Sequence, residues 1–178
     1  MKAPAQMTNW YVITGAPCSG KTAVIKQLEK MGYAVVHEVA RAYIDDELAR
    51  GKTLEQIKAD EGAFERHILM AKVKLEAALA RDNIIFLDRA VPDSIAYYTL
   101  CGLDPAEPLQ KSQTIRYRKV FLFERLTFLA DPVRSEDEKT ADRLGGLIEE
   151  NYQSLGYQLV HVPLASVKER TEFVLARL

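Results

Sequence analysis

Cysteine is scarce in this chain. Cys18 and Cys101 are the only two, and they are far apart. They show neither metal nor redox spacing, so a disulfide framework is excluded and a reducing compartment is expected. Histidine is equally sparse: His37, His67 and His161 share no ligand spacing, which argues against a zinc site. A surplus of one charge is missing too. Lysine and arginine number 24 against 25 acidic residues, for a net charge of −1. That balance argues against duplex nucleic acid as the main partner. No apolar run approaches the ~20 residues that span a bilayer, and residues 1–9 lack the apolar centre of a signal peptide. A cytoplasmic location without membrane attachment is the expectation. There is no internal repeat and no low-complexity tract. What remains is 178 residues of ordinary apolar content, enough to bury a sizeable core in one domain spanning 1–178.

Against that background one segment stands out. Gly15-Ala16-Pro17-Cys18-Ser19-Gly20-Lys21-Thr22 fits G-x-x-x-x-G-K-[ST]. An apolar run, Trp10–Ile13, precedes it, and a helical pattern from Ala23 to Lys30 follows. In such a strand–loop–helix setting, successive backbone N–H groups form a nest for phosphate oxygens, and the helix N-terminus adds its own unpaired donors. Lys21 would reach the outer phosphates and the Thr22 hydroxyl would sit on Mg²⁺. Gly15, Ala16, Pro17, Cys18, Ser19, Gly20, Lys21, Thr22 and Ala23 are the expected nucleotide contacts. The bland alternative is a glycine turn carrying an ordinary surface lysine. Cys18 reads as a small filler rather than a nucleophile.

Strand and helix patterns alternate along the chain, as in a parallel α/β sheet. Strands are expected at Trp10–Thr14, Tyr33–His37, Ile84–Asp88, Lys119–Phe123 and Tyr157–Val162. Helices are expected from Lys21 to Met31 and Glu38 to Arg50. A long one should run from a cap at Thr53 to Arg81. Others follow at Pro92–Leu100, in a short helix up to Arg116 entered from a loop marked by Pro105 and Pro108, at Ala141–Leu155, and after Ser166, where Glu169 completes a capping box. The expected fold is an α/β three-layer sandwich of the P-loop type, with five parallel strands and helices on both faces.

Asp88 ends a buried strand, the pattern of the carboxylate that helps hold Mg²⁺ beside a P-loop. A turn-forming Asp is the alternative. Arg89 follows and could clamp phosphate with its planar fork, or form a surface ion pair. Glu38 falls at the C-terminal edge of the second strand, where open α/β sheets bind ligands. It could orient an acceptor hydroxyl or take its proton, with Arg41 one turn along the same face. The alternative is a solvated Glu–Arg pair. The segment 126–140 is charged and poor in apolar residues. As a closing lid it would bring Arg134 or Arg143 onto the transferring phosphoryl group; otherwise it is a solvated loop. Tyr97 and Tyr98 suit core packing, or stacking on a base.

With these motifs placed, the chain resembles small P-loop kinases. It looks most like the predicted ATPases of the AAA type related to the ribosylnicotinamide kinase domain of NAD-metabolism regulators. The matching stretches are Thr14–Thr22, His37–Tyr43, Ile84–Asp93, and Asp131–Glu138 with Gly156-Tyr157 downstream. The resemblance implies a nucleoside- or nucleotide-kinase-like fold, ATP or GTP with Mg²⁺ on Thr22 and Asp88, and a small-molecule acceptor. It places Glu38, Asp88 and Arg89 on the acceptor side, with Lys21, Glu38, Asp88, Arg89 and Arg134 as the catalytic set. A homodimer is left open. The competing reading is a nucleotide switch acting through a protein partner. Against it, the chain has no N-K-x-D motif and no D-x-x-G after the third strand.

Overall fold

The apolar run at residues 10–14 becomes the centre of the molecule because neighbours flank it on both edges and both faces. The computed structural model describes residues 5–125 and 138–178. In chain order the strands are β1 (Gln6–Met7), β2 (Trp10–Thr14), β3 (Ala34–Val36), β4 (Ile85–Asp88), β5 (Ile115–Arg116), β6 (Lys119–Phe123) and β7 (Leu159–Val162). The helices are α1 (Lys21–Lys30), α2 (Val39–Ala49), α3 (Leu54–Ile57), α4 (Glu61–Ala78), α5 (Asp93–Leu100), α6 (Ala106–Ser112), α7 (Glu138–Ser154) and α8 (Val167–Leu175).

The main sheet has the order β3-β4-β2-β6-β7, every pair parallel. The five strands expected from the sequence are therefore all present, and β4 does lie beside β2. Alternate side chains of β2 enter two separate cores. Trp10 and Val12 join Leu144, Ile148 and Tyr152 of α7, while Tyr11 and Ile13 join Val24, Ile25 and Leu28 of α1. Burial on both faces is why these strands read as continuous apolar runs rather than alternating ones. Each such fully buried aliphatic or aromatic side chain contributes about 1.5–3 kcal/mol.

Two expectations need correction. The long helix from Thr53 to Arg81 is broken. Thr53 and Gln56 form a reciprocal capping box over the short α3. The Asp60 side chain then accepts from Ala63 N at 2.7 Å and starts α4 afresh, and α4 ends at Ala78. A short acid that bonds the backbone three residues on competes with helix continuation, and that competition outweighs the apolar periodicity here. The helix expected to reach Arg116 stops at Ser112, and Ile115–Arg116 instead pair in parallel with Gln6–Met7. Among the described residues, no helix is long and apolar enough to cross a membrane.

Candidate active site

The loop between β2 and α1 is built mainly from backbone. Gly15 has φ 133°, and a Cβ there would lie 2.5 Å from the Phe123 carbonyl oxygen, so no other residue fits this approach of loop to β6. Cys18, with a side chain, also holds a left-handed φ of 57°, a conformation costing of order 1–3 kcal/mol that persists only where its surroundings enforce it. Part of that enforcement comes from α8. Arg170 is buried, donates to the Ser19 carbonyl at 2.7 Å and stacks over Phe123 at 4.3 Å. No motif marks Arg170, which lies more than a hundred residues downstream of the loop it braces. Lys21 Nζ folds over the loop to the Ala16 carbonyl at 2.7 Å and Ser19 Oγ at 2.9 Å. Helix α1 begins at Gly20 without a side-chain cap and without an acid in its first turn. Its first N–H groups are thus left for an anion.

This loop forms one wall of a cleft of about 550 Å³. Cys18, Ser19, Gly20, Lys21 and Thr22 line it, with Glu38, Arg41 and Asp88 opposite. Gly15, Ala16 and Pro17 are buried beneath the loop, and Ala23 is exposed on α1. None of these four lines the cleft.

At the cleft floor, Thr22 Oγ1 donates to Asp88 Oδ2 at 3.2 Å. Burial, and then the charge of Glu38, push the Asp88 carboxyl above its ordinary range, while Lys21 and Arg89 pull the other way. Its second oxygen, Oδ1, is buried and has no hydrogen-bond partner. A hard cation with oxygen ligands would satisfy that atom and reverse the electrostatic strain. Among the described residues no group of three or more His, Cys, Asp or Glu gathers to cage a metal. The donor set therefore fits Mg²⁺, which takes one or two protein oxygens and completes its shell with phosphate and water.

The backbone turns sharply after Asp88. Arg89 has φ 66°, and its N–H donates to the Ile13 carbonyl at 3.0 Å. The turn points the Arg89 side chain into the interior, where it is 1% exposed. Arg89 Nη1 donates to Asp93 Oδ1 at 3.1 Å, Nε lies 3.4 Å from Glu38 Oε1, and Nη2 has no partner. Burial opposes the guanidinium charge, but Tyr97, Glu38, Asp93 and Asp88 together hold its pKa above the ordinary range.

Asp93 organises this region. It is fully buried and accepts from Thr14 Oγ1, from Arg89, from Ala90 N at 2.9 Å and from the Tyr152 hydroxyl at 2.7 Å. Burial would raise its pKa, but Arg89 and then Lys72 outweigh that and hold the carboxylate ionised. One side chain thus ties the end of the P-loop strand, the Arg89 turn and α7 together. In the sequence it looks like a first-turn helix acid; its spacing of four from Arg89 was the available signal.

Beyond Arg89 lies a second cavity, of about 60 Å³. Helix α2 supplies Ile44; α4 supplies Phe64, Ile68 and Lys72; α5 supplies Tyr97. Glu38 and Arg41 line this cavity and the P-loop cleft alike. Tyr97 faces the cavity with the Arg89 guanidinium 5.5 Å from its ring, whereas Tyr98 is buried with Leu69 and Val91. Glu38, Asp88 and Arg89 are thus brought together beside Lys21 and Thr22. Arg143 is exposed on α7 and lines neither cavity. Arg134, with most of the expected lid at 126–140, lies outside the described residues.

A parallel sheet with a P-loop at its central strand and an acidic strand end beside it defines a P-loop nucleotide-kinase-like fold. The chain belongs to an AAA domain family, whose profile matches residues 10–170. No curated protein sequence matches it. Among solved structures it is similar to the NadR protein in complex with NR, with TM-score 0.70 and 16% identity over 97% of this chain and 49% of that one. The chain therefore spans about half the length of that relative. It is also similar to deoxyadenosine kinase from M. mycoides with the products dCMP and dCDP bound, with TM-score 0.65 and 16% identity, covering 94% of this chain and 97% of that one. Thymidylate kinase from Ehrlichia chaffeensis gives TM-score 0.65 and 13% identity, over 98% of both chains. At these identities the likeness is one of fold.

Proposed function

We propose that this protein is a phosphotransferase that moves the γ-phosphoryl group of ATP or GTP to a nucleoside or nucleotide. One observation carries the reading: Glu38 and Arg41 line both the P-loop cleft and the smaller cavity beside it. A nucleotide switch needs the first space only. A transferase needs a second, opening where the γ-phosphate would end.

In this reading the loop N–H groups and Lys21 hold the β- and γ-phosphates. Thr22 and Asp88 would hold Mg²⁺, which when bound neutralises charge on the phosphates. Glu38 accepts the proton of an acceptor hydroxyl as its oxygen bonds to the γ-phosphorus; the bond to the bridging oxygen breaks and ADP or GDP leaves. Where the acceptor is a phosphate, its oxygen attacks directly and no proton passes to Glu38. Arg89 Nη2 donates to the acceptor, and the charge of Arg89 is fixed by Glu38 and Asp93. Arg134 would stabilise the transferring group from the 126–140 segment. The fold likeness to nucleoside and nucleotide kinases supports this reading.

The test is a coupled assay for ADP or GDP across nucleosides and nucleoside monophosphates, with Lys21→Ala as control. Formation that requires an acceptor and is lost in the control supports the transferase. Formation indifferent to every acceptor supports the switch acting through a protein partner.

A further inference from the structure

Lys72 is an anomaly in the smaller cavity. It lies on α4, is 4% exposed, and its Nζ makes a single hydrogen bond, to the hydroxyl of Ser94 at 3.2 Å. Among the described residues it forms no ion pair with a carboxylate, although the charges of Asp93, Glu65 and Glu38 act on it from further off. Arg89 beside it pairs directly with Glu38 and Asp93, and Lys21 bonds the loop oxygens of Ala16 and Ser19. A buried ammonium ion without a direct ion pair is costly, and such groups normally pair or lose their proton. Burial does pull the Lys72 pKa below the usual lysine range, with Asp93 pulling it back. The side chain nevertheless faces a cavity, as does Arg89, whose Nη2 is buried and unpartnered. Lys72 and Arg89, both buried bases, thus line one small space. Around it the lining is biased the same way, with Arg41 and Lys58 added against Glu38 and Glu65.

We propose that the acceptor brings the direct anionic partner that Lys72 lacks: it is a phosphate monoester, and its phosphate lodges between Lys72 Nζ and Arg89 Nη2. This rests on the phosphotransferase reading and sharpens it from nucleoside or nucleotide to nucleotide. The chemistry follows from the donor set. A tetrahedral dianion offers lone pairs in several directions at once, so it can engage a point ammonium and a planar guanidinium together. A neutral ribose offers hydroxyls, which would give Lys72 no direct anionic partner.

The experiment measures binding with the P-loop already filled by saturating Mg–ADP. Inorganic phosphate, four nucleosides and their 5′-monophosphates are the probes, read by calorimetry and thermal shift. Wild-type protein is expected to bind at least one monophosphate about 10- to 100-fold more tightly than its parent nucleoside. Lys72→Met loses that margin while its affinity for ADP is unchanged, and Lys72→Arg keeps part of it. In turnover, Lys72→Met raises the monophosphate KM by a similar factor with little change in kcat. A nucleoside that binds as tightly as its monophosphate in wild-type protein overturns the proposal without need of any variant. So does a Lys72→Met protein that binds monophosphate like wild type. The two readings fail separately. Lys72-dependent binding of monophosphate without transfer retires the transferase and leaves the anion site. Transfer to nucleosides that ignores Lys72 does the reverse.

Discussion

The two halves of the cleft are built by opposite means. The donor side is backbone: a glycine no other residue can replace, a strained Cys18, and N–H groups aimed inward. The acceptor side is side chain: Arg89, Asp93, Glu38 and Lys72, drawn from three helices and a turn and held by buried charge. A backbone site needs only a few contiguous residues. A side-chain site needs every member in place, because a buried charge that loses its partner costs more than the pair ever contributed. The acceptor half is therefore the more fragile, and substitutions should separate the two.

Asp93→Asn should have the largest effect. It removes the charge that balances Arg89 and weakens the tie to Thr14, at a cost of about 3–5 kcal/mol of stability in chemical denaturation. In the fraction that remains folded, acceptor KM should rise while ADP affinity stays near wild type. An equal loss on both sides would erase the distinction drawn here. Lys21→Ala is its mirror image: kcat should fall about 10²–10³-fold, with melting temperature nearly unchanged and acceptor affinity preserved.

A third test concerns the scaffold behind the Arg89 turn. Glu76 is buried, accepts from Val91 N at 3.0 Å and from the Tyr117 hydroxyl at 2.8 Å, and burial pushes its pKa up to about 7. From its ordinary value of 4.5 up to about 7, the folded chain holds a proton there that the unfolded chain has released. Stability should thus fall as pH rises through that window and level off above it. Glu76→Gln removes this slope. Relative to wild type it should gain up to about 3 kcal/mol at pH 8 and little at pH 5, measured by urea titration at both values. A constant difference across pH would locate the titration elsewhere. The smallest effect belongs to Tyr152→Phe, which deletes one neutral donor to Asp93. It should lower stability by about 1.5 kcal/mol and leave acceptor KM unchanged, since the bonds from Arg89 and Thr14 go to the other oxygen.

The same contrast explains what the sequence disclosed. The P-loop, the five strands and Asp88 were legible because each is a short contiguous pattern with one physical cause. Glu38 and Arg89 were legible as candidates because both sit just past strand ends, where the sheet opens. Lys72 was not: at its place in α4 it reads as one more polar residue of an amphipathic helix, and only the packing of α4 on α5 buries it. Asp93 and Glu76 were hidden for the same reason. The break before α4 leaves no mark on the apolar periodicity, which runs through residues 54–79 unbroken; its cause is the single capping acid Asp60. The acceptor pocket is thus a property of helix packing, with no motif of its own.

The central claim is that phosphate leaves the donor half and arrives in the acceptor half. Phosphorus NMR of the reaction with ATP and a nucleoside or nucleoside monophosphate reads this directly. The account predicts a new phosphoester or phosphoanhydride resonance on the acceptor, one for each ADP formed, with negligible inorganic phosphate. Inorganic phosphate appearing at the same rate with and without acceptor would contradict it.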